Sequence, residues 1–176
     1  MPDENRAAPS VRADGSASED LSALTVVPAE PAHIPAIAAL ERVCFSHPWT
    51  EQMLAEELEN PIAVFRTALL GGRVAGYVGM QAVAGEGYIA NLAVDPALRR
   101  RGIGERLLSD LLGYARAQGF SFVTLEVRVS NAPAIRLYEK LGFRKLGKRP
   151  RFYDDPAEDA WIMTNAELGA QQGKNA

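Results

Sequence analysis

Residues 88–117 restrict the fold more than any other part of this chain, because they join a strand pattern to a helix pattern through a basic turn. Residues 88–94 form a largely apolar run of strand length, and Asp95-Pro96 ends it. From residue 103 to residue 115 apolar side chains recur at helical spacing, and Gly119 is the expected stop. Such a strand predicts burial on both faces, as in the centre of a sheet that helices cover.

The rest of the chain alternates strand and helix patterns. Gly71-Gly72 separates two extended runs and is a hairpin signal. Thr50 and Asn131 are suited to cap helices, and Pro133 fits the first turn of the second one. Further strands are expected at 24–28, 62–70, 73–83, 122–129, 143–153 and 159–164, and further helices near 34–41, 51–58 and 132–141. This order predicts an α/β fold, a mixed sheet with helices on both faces.

The length and composition indicate one domain with two loose ends. The chain has 176 residues, and residues 1–24 contain almost no large apolar side chains. We therefore expect a disordered extension at 1–24, one domain at 25–166 and a loose tail at 167–176. One cysteine and two histidines disfavour a disulfide framework and a metal site. Without a membrane-length apolar run or a signal core, the expected location is cytoplasmic, with no membrane partner.

Charge is distributed unevenly along the sequence. The formal net charge is −3, which argues against nucleic acid as a direct partner. Residues 99–151, however, contain 13 basic and 4 acidic side chains. This basic block between two acidic segments indicates an anionic ligand of limited size.

The turn at residues 99–104, Arg-Arg-Arg-Gly-Ile-Gly, is the strongest local signal for such a ligand. The first-turn amides of a helix have no partners within the helix and carry partial positive charge, so they bind anions. The turn is not a phosphate-binding Walker loop, because no Gly-Lys-Ser/Thr follows. Nor is it a complete dinucleotide fingerprint, since Leu107 occupies the position of the third glycine. A solvated basic turn before an amphipathic helix is the alternative.

With Asn-Leu-Ala-Val-Asp-Pro at 91–96 before it, this turn resembles the acetyl-CoA signature Gln/Arg-x-x-Gly-x-Gly/Ala of the GNAT (Gcn5-related N-acetyltransferase) family. The resemblance implies the GNAT fold: a mostly antiparallel twisted sheet of about seven strands with a splayed central parallel pair. It implies acetyl-CoA as co-substrate and no metal. It places the pantetheine on Leu92, Ala93 and Val94. The pyrophosphate would lie on the amides of Arg100, Arg101, Gly102, Ile103, Gly104 and Glu105.

Four other segments resemble one branch of that family, whose members acetylate the N-terminal alanine of ribosomal protein bS18. They lie at 45–50, 125–131, 134–143 and 158–163. The implied activity is protein N-terminal acetylation, with the N-terminus of a ribosomal protein as partner. A GNAT enzyme with broader N-terminal or small-molecule amine substrates is one alternative. A non-catalytic acyl-CoA-binding module is another.

Acyl transfer to an amine requires a group that accepts a proton and a group that donates one to the leaving thiolate. Glu126 is the candidate base, because strand alternation places it opposite Leu125 and Val127 and the resemblance gives it this role. The alternative is a solvated glutamate. Tyr138 is the candidate acid, since an ordinary pKa near 10 keeps it protonated. The alternative is an aromatic residue that packs on the sheet.

Three further residues are candidates with open alternatives. Asn131 matches a residue that contacts the cofactor in the family, although capping of the helix is equally physical. Trp49 and Tyr153 are expected to line a groove for the substrate peptide. Ordinary packing at the rim of the domain would explain both as well.

Overall fold

The computed structural model describes residues 21–168, which form one seven-stranded sheet with helices on both faces. The strands are β1 (Leu24–Pro28), β2 (Ala63–Leu70), β3 (Arg73–Val83), β4 (Glu86–Val94), β5 (Phe122–Arg128), β6 (Arg144–Asp154) and β7 (Ala157–Asn165). The helices are α1 (Ile34–Cys44), α2 (Glu51–Glu59), α3 (Ile103–Ala117) and α4 (Ala132–Lys140). The predicted hairpin, the predicted caps Thr50 and Asn131 and the closing strand pair are all present.

The strand order is β1-β2-β3-β4-β5-β7-β6, and only β4 and β5 are parallel to each other. Their pairing covers three residues of each strand and ends at Tyr88 and Thr124. Ala90 has no partner in β3, because Ile89 pairs with Met80 and Asn91 with Gly79. Such a bulge bends the strand that contains it. Beyond it β4 and β5 separate, which confirms the predicted splayed parallel pair.

Each face of the sheet has its own hydrophobic core, because neighbouring residues of a strand point to opposite sides. Helices α3 and α4 cover one core, to which β3 contributes Val78 and Met80. Helices α1 and α2 cover the other, to which β3 contributes Tyr77. The prediction of helices on both faces is therefore correct.

The sequence prediction for the central strand is wrong. Residues 88–94 were expected to be buried on both faces, but Tyr88 is 36% exposed, and Ala90, Asn91, Leu92 and Val94 are only partly buried. The reason is the splay, since no strand of the described part of the chain pairs with β4 beyond Tyr88 on the β5 side. Partial exposure in the middle of a sheet marks an open gap between the two strands.

The domain extends further at both ends than the predicted range 25–166. Leu24, placed in the extension, starts β1, pairs with Leu70 and is only 2% exposed. Leu168, placed in the tail, is also 2% exposed and belongs to the α3 core. Isolated leucines thus tie the ends of the domain to the core. The rest of the predicted loose ends, residues 1–20 and 169–176, lies outside the described residues.

Close contact between β3 and β4 requires a glycine at position 76. A Cβ atom there would lie 2.8 Å from the carbonyl oxygen of Ala93, and that backbone cannot move without disturbing the ladder. We expect Gly76→Ala to lower the free energy of unfolding by about 1–3 kcal/mol, the usual cost of overpacking. Unfolding in urea measures this free energy. The matched control is Gly113→Ala in α3, where a Cβ meets no atom within 4 Å and should stabilise by roughly 0.5–1 kcal/mol. Equal stability of both variants would contradict this account.

Candidate active site

The turn before α3 has the backbone shape of an anion site. Gly102 is the N-cap with φ of 85°, and Arg100 has φ of 63°. A Cβ at Gly102 would meet nothing within 4 Å, so the space beside the turn is open. The next amides start the helix and have no helical acceptors, which leaves them available to an anion. The predicted residues 100–105 therefore form one cradle of amides flanked by arginine side chains.

Helix α4 lies against this cradle. A Cβ at Gly104 would be 3.3 Å from Leu137, so the second glycine of the turn permits the close approach of α4. Lys140 of α4 also forms a 2.7 Å ion pair with Glu105. At the other end of α4, Asn131 accepts a hydrogen bond from the amide of Ala134 at 3.3 Å, which confirms its capping role. Its contact with a cofactor stays a prediction.

The free edge of β4 faces the gap toward β5. The amide of Asp95 donates to Ala75 in β3 at 2.9 Å. Because hydrogen-bonding direction alternates along a strand, Leu92 and Val94 point their main-chain groups away from β3 and into the gap. Ala93 differs from them, since its main chain faces β3. Its expected cofactor contact can therefore not use the main-chain groups that Leu92 and Val94 present.

The carbonyl of Val94 already has protein partners, which sequence reasoning missed. Arg99 Nε donates to it at 3.2 Å, and the thiol of Cys44 lies 3.8 Å away. Arg99 Nη2 is also 3.3 Å from that thiol. Arg99, the first residue of the basic turn, thus binds the end of β4, and Arg100 and Arg101 are left to flank the anion cradle.

Glu126 occupies the β5 side of the gap, on the face opposite the buried Leu125 and Val127, as alternation predicts. Its side chain is only 9% exposed. Oε1 accepts a hydrogen bond from Arg149 Nη1 at 2.7 Å. Oε2 is buried and has no hydrogen-bond partner among the described residues. A buried carboxylate oxygen without a partner is unusual, because desolvation is costly, and a bound water or a ligand group would satisfy it.

Two tyrosines, Tyr88 and Tyr153, lie near this carboxylate, and a third, Tyr138, lies near Tyr153. Burial raises the pKa of Tyr138 above its ordinary range, and nearby Tyr153 raises it further. Burial also raises the pKa of Tyr153, while the Arg128 guanidinium, 4.1 Å from the ring centroid, lowers it and Glu126 raises it. Burial raises the pKa of Tyr88 most, and the interaction of its hydroxyl with the Glu126 carboxylate raises it further, although no hydrogen bond of ordinary geometry joins the two groups. Tyr153 therefore lies near both catalytic candidates, Glu126 and Tyr138, and all three tyrosines remain protonated.

Tyr88, Arg128 and Arg149 are site residues that the sequence did not reveal. Tyr88 pairs with Thr124 in the parallel ladder. Thr124 lies two residues before Glu126 on β5, so the side chains of Tyr88 and Glu126 are on the same face of the sheet. That pairing joins strands separated by a helix, and no local pattern encodes it. In the sequence, nothing distinguishes Arg149 from the other cations of the basic block at 99–151.

A second polar cluster lies on the α1 side of the sheet. Glu41 is fully buried, and Oε2 accepts a hydrogen bond from the amide of Trp49 at 2.9 Å. Oε1 accepts from the hydroxyl of Tyr77 and from Asn91 Nδ2, the latter at 3.1 Å. Burial raises the pKa of Glu41, although these hydrogen bonds oppose the shift. One carboxylate thus ties α1, the segment after it, β3 and β4 together.

Of the two residues expected to line a peptide groove, only Tyr153 lies beside the catalytic candidates. The Trp49 ring is partly buried at 6.3 Å from Phe65, in the packing position that was the alternative. The segment before Trp49 nevertheless reaches the β6–β7 turn. His47 Nε2 lies 3.0 Å from Asp154 Oδ1, and Ser46 Oγ donates to the carbonyl of Asp155 at 2.9 Å.

Among residues 21–168, no group of three or more His, Cys, Asp or Glu side chains could hold a metal ion. No helix in this range is long and apolar enough to cross a bilayer.

Residues 34–143 match the acetyltransferase (GNAT) family, and the chain belongs to it. The predicted enzyme class is therefore confirmed: the chain is an acetyltransferase. Acetyl-CoA is the acetyl donor that its family uses. The bS18-alanine N-acetyltransferase of Escherichia coli K12 is 36% identical over 141 residues, 79% of this chain and 95% of that protein. The N-alpha-acetyltransferase RimI of Mycobacterium tuberculosis is 38% identical over 120 residues, 66% of this chain and 74% of that one.

Solved structures agree with this assignment. The crystal structure of the S18-alanine N-acetyltransferase from Escherichia coli superimposes with a TM-score of 0.74 at 34% identity, covering 80% of this chain and 92% of that one. The predicted fold is confirmed by this similarity.

The Glu41 cluster leads to a stability prediction. Tyr77→Phe removes one of three donors to a buried carboxylate, so we expect a loss of about 1–3 kcal/mol in the free energy of unfolding. For a chain of this size the melting temperature should fall by roughly 2–4 °C per kcal/mol. Calorimetry measures the melting temperature. Tyr114→Phe is the control, because no described residue hydrogen-bonds the Tyr114 hydroxyl. If both variants melted together, the hydrogen bond of Tyr77 would contribute nothing.

Proposed function

We propose that this chain transfers the acetyl group of acetyl-CoA to the α-amine of the N-terminal alanine of ribosomal protein bS18. The observation that carries the proposal is the unpartnered Oε2 of Glu126, buried at the gap between β4 and β5 beside Tyr88 and Tyr153. The relatives named for this reaction support the substrate. A ribosomal substrate also supports a cytoplasmic location.

The turn and the gap fit acetyl-CoA. The open space at Gly102 and the free amides of the cradle suit the pyrophosphate, with Arg100 and Arg101 to neutralise its charge. The main-chain groups of Leu92 and the amide of Val94 face the gap and suit the amide groups of a pantetheine arm. Asn131, the N-cap of α4, is a further proposed cofactor contact, which rests on the resemblance to the family. The co-substrate supplies an activated thioester, and the protein supplies the proton transfers.

Glu126 acts as the base in this proposal. An N-terminal α-amine has an ordinary pKa of roughly 7.7–8.0, so a carboxylate can take its proton directly or through one water. As the amine nitrogen bonds to the acetyl carbon, its proton passes to Oε2. The Oε1 atom is held by Arg149 and takes no part in the transfer.

Tyr138 acts as the acid. When the carbon–sulfur bond breaks, the sulfur leaves as a thiolate, and the Tyr138 hydroxyl donates a proton to it. Solvent then returns a proton to the tyrosine. The raised pKa keeps the Tyr138 hydroxyl protonated and available as a donor. Its ring packs against Phe143 in the α3 core, so the aromatic packing role holds as well.

The substrate can be tested with a peptide that copies the alanine-starting N-terminus of bS18. We expect acetyl-CoA and the protein to acetylate its α-amine, and mass spectrometry of fragments locates the added group. The controls are the same peptide with a bulky first residue and one with a blocked N-terminus. Equal rates on the alanine-starting peptide and on the peptide with a bulky first residue would contradict strict alanine specificity and support the broader N-terminal activity. Acetyl-CoA binding without turnover on any amine would favour a non-catalytic module.

Tyr138→Phe tests the acid. Because proton donation to the thiolate happens only in the transition state, the variant should lose kcat by about 10²-fold with little change in the KM for peptide. In the wild type, the raised pKa of Tyr138 predicts no alkaline loss of kcat from this residue up to pH 10.0, its ordinary value. Steady-state rates between pH 6 and 10 check both points, with Tyr114→Phe as control. Full kcat in Tyr138→Phe would exclude this role.

A further inference from the structure

The contact between Glu126 and Arg149 crosses a strand. Glu126 lies on β5 and Arg149 on β6, and β7 lies between them. The 2.7 Å hydrogen bond from Arg149 Nη1 ends on Oε1 of a carboxylate that is 9% exposed, while the arginine side chain is 54% exposed. The arginine therefore reaches inward from the edge of the sheet and uses one of the two carboxylate oxygens.

Two irregularities in β6 flank Arg149. The pairing register with β7 shifts between Lys145 and Gly147 and again between Arg149 and Tyr153, where Arg151 has φ of 51°. The local bend brings Arg149 and Tyr153 together beside Glu126. The Arg149 guanidinium also lies 5.0 Å from the ring centroid of Phe152, a cation–π contact that restricts its position.

The other polar groups around Glu126 do not supply a second positively charged hydrogen-bond donor to its carboxylate. Tyr88 faces it from β4, and Tyr153 faces it from β6, both as neutral phenols with raised pKa. On β5 itself Arg128 is engaged elsewhere, since it pairs with Glu158 and stacks on Tyr153. Within residues 21–168, Arg149 is the cation that hydrogen-bonds this carboxylate.

We propose that Arg149 is a positioning residue for acyl transfer: it fixes Oε1 of Glu126 and so leaves Oε2 as the oxygen that takes the proton. This inference rests on the proposed function, in which Glu126 is the base. A guanidinium is suited to the task because it stays charged at every working pH and donates in a fixed plane. Arg149 neither gains nor loses a proton during the reaction.

The steady-state rates of Arg149→Gln test the positioning role. We expect kcat to fall about 10- to 100-fold with little change in the KM for peptide, because Oε1 of Glu126 is no longer fixed. Arg149→Lys should recover part of kcat, since its ammonium group can still donate to the same oxygen. A wild-type kcat in Arg149→Gln would overturn the proposal.

A double-mutant cycle tests whether Arg149 acts through Glu126. We expect Glu126→Gln to lower kcat/KM about 10²-fold or more, and Arg149→Gln to cause no further loss in that background. Arg144→Gln, the same charge change at an exposed site on β6, is the control and should leave the rate unchanged. Melting temperatures confirm that each variant is folded.

The cycle separates two kinds of failure. If Arg149→Gln costs the same factor with and without Glu126→Gln, the arginine acts independently and the positioning role is wrong, although the base stands. If Glu126→Gln alone keeps the wild-type rate, the proposed base is wrong, and the positioning role fails with it.

Discussion

The separation of β4 from β5 is the constraint on which the rest of this structure depends. The two strands pair for three residues, and the unpaired Ala90 bends β4 just beyond the last pair. A sheet that stayed closed would bury the edges of both strands in hydrogen bonds. The open sheet presents main-chain groups from β4 and the Glu126 side chain from β5 to one gap, and the basic turn to α3 begins where β4 ends.

An open edge inside a sheet is costly unless its polar groups find partners. The structure satisfies part of this demand internally, because Arg99 and Cys44 both reach the carbonyl of Val94. On the α1 side of the sheet, Glu41 also holds Asn91 of β4 and the amide of Trp49. These contacts fix β4 in its bent position without filling the gap. The main-chain groups of Leu92 remain for a ligand whose own amides replace the missing strand.

The features that the sequence could predict are those encoded within a few residues. Helical spacing, the Gly71-Gly72 hairpin and the exposed turn at Gly102 each depend on local geometry, and strand alternation was enough to place Glu126 opposite Leu125. What could not be predicted depends on long-range pairing. Tyr88 joins the site through a parallel ladder, and Arg149 reaches Glu126 across β7 after a register shift. The role of Glu41 was also hidden, since a carboxylate on an apolar helix face gives no sign of its partners.

In the basic block at residues 99–151, ion pairs within the fold leave fewer cations for a ligand than the charge count suggests. The excess of cations at 99–151 suggested one anionic ligand, yet most lysines and arginines of α4 and β6 have acidic partners in the fold. The ion pairs are Lys140–Glu105, Lys145–Glu139, Lys148–Asp159 and Arg149–Glu126. Lys145 and Lys148 also flank the ring of Trp161, each 5.0 Å from its centroid. The charge available to a pyrophosphate is therefore concentrated at Arg100 and Arg101, where helix α3 adds the positive end of its dipole. Among the paired cations, Lys148 joins the closing strands β6 and β7, and Arg149 reaches the carboxylate at the gap.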